Sequence, residues 1–544
     1  MEFDLIITNG TVIDGTGRRR FRADVGVLDG RITAVSEGEP LAGRDTLDAS
    51  GLIVAPGFID VHSHADWILP LPDHTAILAP LLLQGITTLV AGQCGFSPAP
   101  VTGDSIPFVD AFSRTLRDRD FAYEWHSTAE FLEAIERQGL LLNVACLVGH
   151  GTLRHIAMGD ARQAPTPPEL DVMCRELARA LDQGALGLSA GLAYAPGIFA
   201  GNDELLALLE VAAARGATFT VHGRAYSWVS PFYKPMIVGT PHNVRSVCEL
   251  LDLARASGVR LQLSHQIFVG RRTWRTHRRV LRDIDSAAAD GVDVTFDAFP
   301  YPFGNTLVNV VMPAWFLRDF ERNIVDRAAL RSLKRETDIL RWTLGIDYAD
   351  ITLLWATVPE LAELEGLDFG EIARRLGMRP FEAYVHVARA SGGQARALLG
   401  TYSGDAHTDT PLRAALAHPL CAFMTDTILT SHGVHNPASF GTFPRILGHY
   451  SRDVGLFPLE EAVRRMTSFP AERMRLDGIG RVAAGCRADL VLFDPATVDG
   501  QATLSRPDAP PTGIHAVLLG GHIVARDGAR VVNECHGRVL RRPG

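Results

Sequence analysis

Pro56-Gly57-Phe58-Ile59-Asp60-Val61-His62-Ser63-His64-Ala65-Asp66 is an apolar run that ends in two histidines one residue apart. Side chains alternate across a strand with a period of two, so His62 and His64 leave one face of the strand end and can share a metal ion. Two half-buried imidazoles with ordinary hydrogen bonds would read the same way. What surrounds the pair therefore decides its meaning.

Seven further apolar, strand-like runs follow it: Thr87 to Gly92, Leu142 to Val148, Ala185 to Leu188, Thr218 to Val221, Arg260 to Leu263, Val292 to Phe296 and Cys421 to Met424. Amphipathic stretches lie between them, such as Pro168 to Gln183, where Leu170, Cys174, Leu177 and Leu181 are spaced for one buried helical face. Strand and helix in alternation give a parallel sheet, and eight units predict an α/β fold of the (β/α)8 TIM-barrel type. The seventh and eighth runs are far apart. Residues 305–415 hold helix-like segments, Asp326 to Glu336 and Phe369 to Leu376 among them, and read as a helical lid inserted over the barrel mouth.

The two ends of the chain have another style. Short alternating runs such as Leu5 to Thr8 and Arg31 to Val35 are broken by Asn9-Gly10, Asp14-Gly15 and Asp29-Gly30. The pattern returns in Ala488 to Phe493 and His515 to Leu519, with Gly520-Gly521 and Asp527-Gly528 as turns. We expect the ends to pair into one small β-sandwich, from residues 1–55 and 471–544, around a barrel of residues 56–470.

Composition narrows the partners. A chain of 544 residues exceeds one ordinary core, and 47% apolar with 21% charged residues is a globular balance. Lys and Arg number 53 against 62 Asp and Glu, and no basic run is interleaved with aromatics, so nucleic acid is not expected as a partner. Leu78 to Val90, the densest apolar stretch, is too short and too polar to span a bilayer, and the first residues lack a secretory pattern. No membrane partner is expected. Seven dispersed cysteines without a Cys-x-x-Cys pair fit a reducing cytoplasm. Gly-rich phosphate loops are absent, and Arg271-Arg272 and Arg278-Arg279, followed by Asp283 and Asp285, read as a solvated helix face.

Barrel enzymes keep their reactive groups at the carboxyl ends of the strands. His62 and His64 follow the first run, Cys94 the second, His150 the third, His222 the fifth, His265 the sixth and Asp426 the eighth. Chance places one or two such residues there, and six runs of eight point to a shared site. Each residue alone has a plainer reading. Cys94, between Gly92 and Gly95, is a zinc thiolate or a small buried hydrophobe. His222 and His265 are ligands or core histidines. Asp426 is a paired or metal-bound carboxylate or a helix N-cap. Asp60 and Asp66 orient the histidines or cap the next segment. His150 has no evident partner and shapes the pocket.

The chain resembles the N-acyl-D-amino-acid deacylase (D-aminoacylase) family of the amidohydrolase superfamily over nearly its whole length. The resemblance rests on Pro-Gly-Phe-Ile-Asp-Val-His-Ser-His at 56–64, Gly-Ile-Thr-Thr and Gly-Gln-Cys-Gly-Phe-Ser within 85–97, and Gly-His-Gly-Thr-Leu-Arg at 149–154. It continues in Gly-Ala-Leu-Gly-Leu-Ser and Tyr-Ala-Pro-Gly within 184–197, Asp-Ala-Phe-Pro-Tyr at 297–301 and Gly-Thr-Phe-Pro-Arg at 441–445. It implies one or two zinc ions at the barrel mouth. His62, His64 and Asp426 would form one subsite, and Cys94, His222 and His265 the tighter one, the cysteine replacing the carboxylated lysine of many relatives. It also implies hydrolysis of the amide C–N bond of a small molecule, zinc-bound hydroxide attacking the carbonyl with Asp426 as general base and acid. Tyr194, Arg224, His150, Tyr301 and Arg445 are the expected substrate contacts.

Two departures bear on the substrate. The family's lysine after the sixth strand, which meets the substrate carboxylate, corresponds here to Ile267, and the arginine of a His-Pro-Arg stretch corresponds to Ala438. A carboxylate left unpaired in such a pocket costs about 2 to 5 kcal/mol if desolvated. Either Lys234, Arg271 or Arg445 takes over, or the substrate is a larger or more apolar amide without a free carboxylate. Ring opening of a cyclic amide and a non-catalytic scaffold are the remaining alternatives. The missing bridging lysine disfavours the first, and six intact ligand positions disfavour the second.

Overall fold

The computed structural model describes residues 2–234, 239–531 and 535–542. Eight parallel strands form its centre: β1 (Phe58–Asp60), β2 (Ile86–Ala91), β3 (Asn143–Cys146, continued by Val148–Gly149), β4 (Gly187–Gly191), β5 (Thr218–His222), β6 (Arg260–Leu263), β7 (Val294–Ala298) and β8 (Cys421–Phe423). Each pairs in parallel with the next, from Phe58 opposite Ile86 to Phe296 opposite Cys421. The last meets the first just past the strand ends. Ser63 bridges Thr427 in parallel, the Asp426 N–H donates to the His62 carbonyl at 3.1 Å, and the His64 N–H donates to the Thr427 carbonyl at 3.0 Å.

The strands are nearly all apolar because both faces are covered, the outer one by amphipathic helices. Helix Pro167–Asp182 starts with Pro at its first turn and a capping box from Thr166 to Glu169, and it buries Met173, Leu177, Ala180 and Leu181. Of its expected apolar face, Leu170 and Cys174 are only half-buried.

The chain ends build two sheets. One has the order Arg31–Ser36, Asp24–Leu28, Phe3–Thr8, Gly43–Asp48. The other runs from Ala529–Arg530 through His522–Arg526, Ile514–Leu519 and Leu490–Phe493 to Ile53–Pro56, Thr11–Val12 and Phe21–Arg22, so the two ends share it. Leu5, Ile7, Val25 and Val27 pack with Leu490, Leu492, Ala516 and Leu518 in one apolar core. Asn9, Asp29 and Asp527 take the positive φ that their Asn-Gly and Asp-Gly turns require. The chain then returns to the barrel, with Gly537 and Val539 bridging Leu140 and Val144.

The segment between β7 and β8 differs from a purely helical insertion. Besides helices Arg327–Leu344, Phe369–Leu376 and Pro380–Ala390, it contains a three-stranded antiparallel sheet in the order Gly304–Leu307, Arg396–Leu399, Ile351–Trp355. Helix Thr410–Ala417 belongs instead to the barrel, since Leu412, Ala415 and Leu416 join its outer core. The inserted sheet shares a core with residues of the barrel interior, Ile59, Val61, Ala422 and Met424 among them.

Candidate metal centre

Six side chains meet beyond the carboxyl ends of β1, β2, β5, β6 and β8. Cys94 Sγ stands 3.3 Å from His62 Nε2, 3.5 Å from His265 Nε2 and 3.9 Å from His222 Nδ1, and the two last nitrogens are 3.0 Å apart. Asp426 Oδ1 lies 3.5 Å from His62 Nε2 and 3.7 Å from His64 Nε2. Their donor atoms form three overlapping groups, His62 with His64 and Cys94, Cys94 with His222 and His265, and His62 with His265 and Asp426.

Local backbone aims them. Cys94, His265 and Asp426 all take positive φ, at 56°, 31° and 52°, which turns each side chain inward just past its strand. At Gly92, also at positive φ, a Cβ would come within 2.3 Å of the Leu147 carbonyl oxygen. The turn is clamped by Ser189, whose hydroxyl donates to the Gly92 carbonyl at 2.5 Å and accepts from the Gly95 N–H at 3.0 Å.

Buried polar groups behind the cluster hold its shape. Asp297 accepts the His265 N–H at 2.5 Å and the Gln262 amide at 2.8 Å, with its Oδ1 3.6 Å from His62 Nδ1. Asp60 accepts the N–H of Thr425 at 3.0 Å and of His62 at 3.3 Å, and the Thr425 hydroxyl also donates to it. Burial pushes the Asp60 carboxyl up to about 7 despite those donors. Burial also raises Asp66 to about 7, with His64 the main opposing charge.

The cluster's own protons follow from burial and mutual charge. Burial alone would push the Cys94 thiol up, but the imidazoles of His62, His222 and His265 hold it well below its ordinary value. Burial would depress His62, and the Cys94 and Asp297 charges lift it well above its ordinary value instead. His222 is driven down to about 4, by burial first and by His265 second. His265 is raised, Cys94 and then Asp426 outweighing its burial.

A metal ion fits this donor set. Tetrahedral zinc with bonds of about 2.0 to 2.3 Å to nitrogen and sulfur separates its ligand atoms by roughly 3.3 to 3.7 Å, close to the spacings around Cys94 Sγ. Mutual charge holds the Cys94 thiol well below its ordinary value and burial keeps His222 low, while His62 and His265, raised by Cys94, would give up their protons to the ion.

The model of the amidohydrolase family matches residues 45–295 and 356–525, and the gap covers the first half of the insertion. The chain belongs to this family, in its N-acyl-D-amino-acid deacylase branch. This amidohydrolase is 33% identical to a D-aminoacylase of Alcaligenes xylosoxydans xylosoxydans over 99% of this chain and 98% of that one. It is similar to the crystal structure of an N-acyl-D-glutamate deacylase from Bordetella bronchiseptica, complexed with zinc and a phosphonate that mimics the tetrahedral intermediate. That pair has a TM-score of 0.79 and 33% identity over 99% and 100% of the chains. A D-aminoacylase structure described for its binuclear metal centre gives a TM-score of 0.80 and 31% identity, covering 99% and 100%.

Of the expected substrate contacts, Tyr194 borders the cluster, its hydroxyl donating to the Cys94 carbonyl at 2.9 Å and its ring 4.9 Å from that of His222. His150 opens a helix and turns its Nε2 to Glu204 at 2.7 Å, in a buried group completed by Arg154. Arg224 pairs with Glu249 at 2.9 Å and donates to the Ala200 carbonyl. The Tyr301 hydroxyl donates to the Ala502 carbonyl at 3.4 Å, and Arg445 lies over its ring while donating to the Pro300 carbonyl.

Three neighbours of the cluster escape a motif reading. The Tyr226 ring is 4.9 Å from His222 and 5.1 Å from His265, and its hydroxyl donates to the Ser264 carbonyl. Asn305 donates to the Asp426 carbonyl at 3.4 Å, and the Tyr402 hydroxyl donates to the Asn305 carbonyl at 2.8 Å. Tyr226 follows His222 by four residues and was within reach of sequence reasoning. Asn305 and Tyr402 come from the insertion and were not.

Proposed function

We propose that this chain is a zinc-dependent hydrolase of an amide C–N bond other than a peptide bond, acting on an N-acyl compound. In this reading the eight parallel strands are a closed (β/α)8 barrel, the chain ends form a β-sandwich, and the insertion is a lid over the mouth. The convergence of four imidazoles, one thiolate and one carboxylate at the strand ends carries the proposal. The relatives' deacylase names and the zinc in one related structure support it.

His62, His64 and Asp426 would hold one ion, and Cys94, His222 and His265 another. Zinc in such a site acidifies water to a pKa of about 7 and polarises a carbonyl oxygen. Asp426 does the proton work, its carboxylate taking a proton from the attacking water and returning it to the leaving nitrogen. Tyr194 and Tyr226 wall the cluster and keep its charges out of bulk water, which strengthens each interaction.

Ile267 is 7% exposed and Ala438 fully buried, both within one apolar core. This favours a second reading of the same chemistry, an amide without a free carboxylate. Among the described residues no helix is long and apolar enough to cross a membrane, and with seven free cysteines we place the protein in the cytoplasm. Release of acetate from N-acetyl-D-methionine and from its α-amide, with zinc content measured alongside, tests the function. Zinc with turnover of either compound supports it, and a zinc-loaded protein inert on both would overturn it.

A further inference from the structure

The inserted sheet carries one cation whose charge is not consumed inside the protein. Arg396 is 7% exposed, yet among the described residues no carboxylate lies within ion-pair distance of it. Its Nη2 donates to the Thr430 hydroxyl at 2.6 Å, its guanidinium lies 4.8 Å above the Trp355 ring, and its Nε is buried without a partner. A buried guanidinium ordinarily has a carboxylate in its fork. The charges that act on it from farther away are Asp118 and Glu365, and burial outweighs both, lowering the guanidinium to about 10. Both carboxylates are committed, Asp118 to Ser431 and Arg119, and Glu365 to the Ala356 N–H at 2.9 Å.

The sheet register shows where this cation stands. Asn305 pairs with Leu398, and Leu307 with Arg396. Directly paired residues, and residues two apart on a strand, share a face, so Arg396 lies on the same face as Asn305, whose amide reaches the Asp426 carbonyl. One two-residue step along a strand is about 7 Å. Thr430, which Arg396 touches, follows Asp426 by four residues on the loop leaving β8.

We propose that Arg396 is the anion anchor of the substrate site, taking a carboxylate on the amine half of the amide. This rests on the hydrolase reading above and decides its open point in favour of a charged substrate, with the cation supplied by the insertion rather than by positions 267 and 438. Two of the other candidates are paired and a third is exposed: Arg271 is held by Asp350 at 2.7 Å and Asp405 at 3.0 Å, Arg224 by Glu249, and Lys234 lies on the surface. Arg445 has no carboxylate partner among the described residues either, but its contacts are the Tyr301 ring and the Pro300 carbonyl, and Tyr301 turns its hydroxyl to Ala502 rather than to the cluster.

The test compares wild type, Arg396→Met and Arg396→Lys on N-acetyl-D-methionine and on its α-amide, with zinc content measured for each protein. Arg396→Met should lower kcat/KM for the acid by about 30-fold more than for the amide, mostly through KM, while zinc content stays at the wild-type level, and Arg396→Lys should recover part of the loss. An equal loss on both compounds, or none on either, would make Arg396 a structural residue and overturn the proposal. Wild type cleaving only the amide would overturn the anchor alone. Wild type cleaving neither would overturn the hydrolase reading and the anchor with it.

Discussion

Cys94 Sγ lies 3.3 Å from His62 Nε2, joining the turns after two adjacent strands in a buried sulfur–imidazole contact. Burial alone would push the thiol up and the imidazole down. Each reverses the shift of the other, helped by His222 and His265 at the thiol and by Asp297 at the imidazole. A bound zinc ion would take the place of the shared proton and give the thiolate and a neutral Nε2 a common partner.

Replacing Asp426 by Asn keeps an oxygen near His62 and His64 and removes the proton acceptor. Its kcat should fall by about 10²- to 10⁴-fold, with zinc still found at the Cys94, His222 and His265 group. Steady-state kinetics with elemental analysis checks this. A loss below tenfold would remove Asp426 from the proton path.

Asp297 supports the cluster by accepting the His265 N–H and by standing 3.6 Å from His62 Nδ1. Asp297→Asn should weaken zinc binding by about 10- to 100-fold, read by competition with a chelator. Unchanged affinity would make Asp297 a packing residue only.

How much of this was legible in the sequence follows from where each signal resides. His62 and His64 announce themselves by a period of two after an apolar run, and the eight strands by apolar runs alternating with helical ones. The inserted sheet gives no such signal. Gly304–Leu307, Ile351–Trp355 and Arg396–Leu399 are separated by helices, without a tight turn to link them, so their pairing is a tertiary property. His150 misleads for a local reason. Gly149 ends β3 and His150 starts a helix, so strand alternation no longer sets its direction, and its ring turns to Glu204.

The buried group of His150, Glu204 and Arg154 predicts a pH-dependent stability. Burial would raise Glu204, but His150 and then Arg154 hold it below its ordinary 4.5. A depressed carboxyl contributes stability that is fully present above the unfolded value and is lost as pH falls through the native one. Glu204→Gln should therefore destabilise by about 3 to 5 kcal/mol at pH 7, leaving Arg154 buried without its partner. That gap should hold down to about pH 5 and close below 4.5, as read by urea unfolding. A gap independent of pH would show that the Glu204 charge contributes nothing.

The central claim is a zinc centre built on Cys94, and its most direct measurement is zinc content by elemental analysis in wild type and Cys94→Ala, each assayed for acetate release from N-acetyl-D-methionine. The account predicts one or two zinc ions per wild-type chain, a clear loss of zinc in the variant and turnover lost with it. Wild-type protein without zinc, or a variant that keeps both zinc and activity, would contradict it.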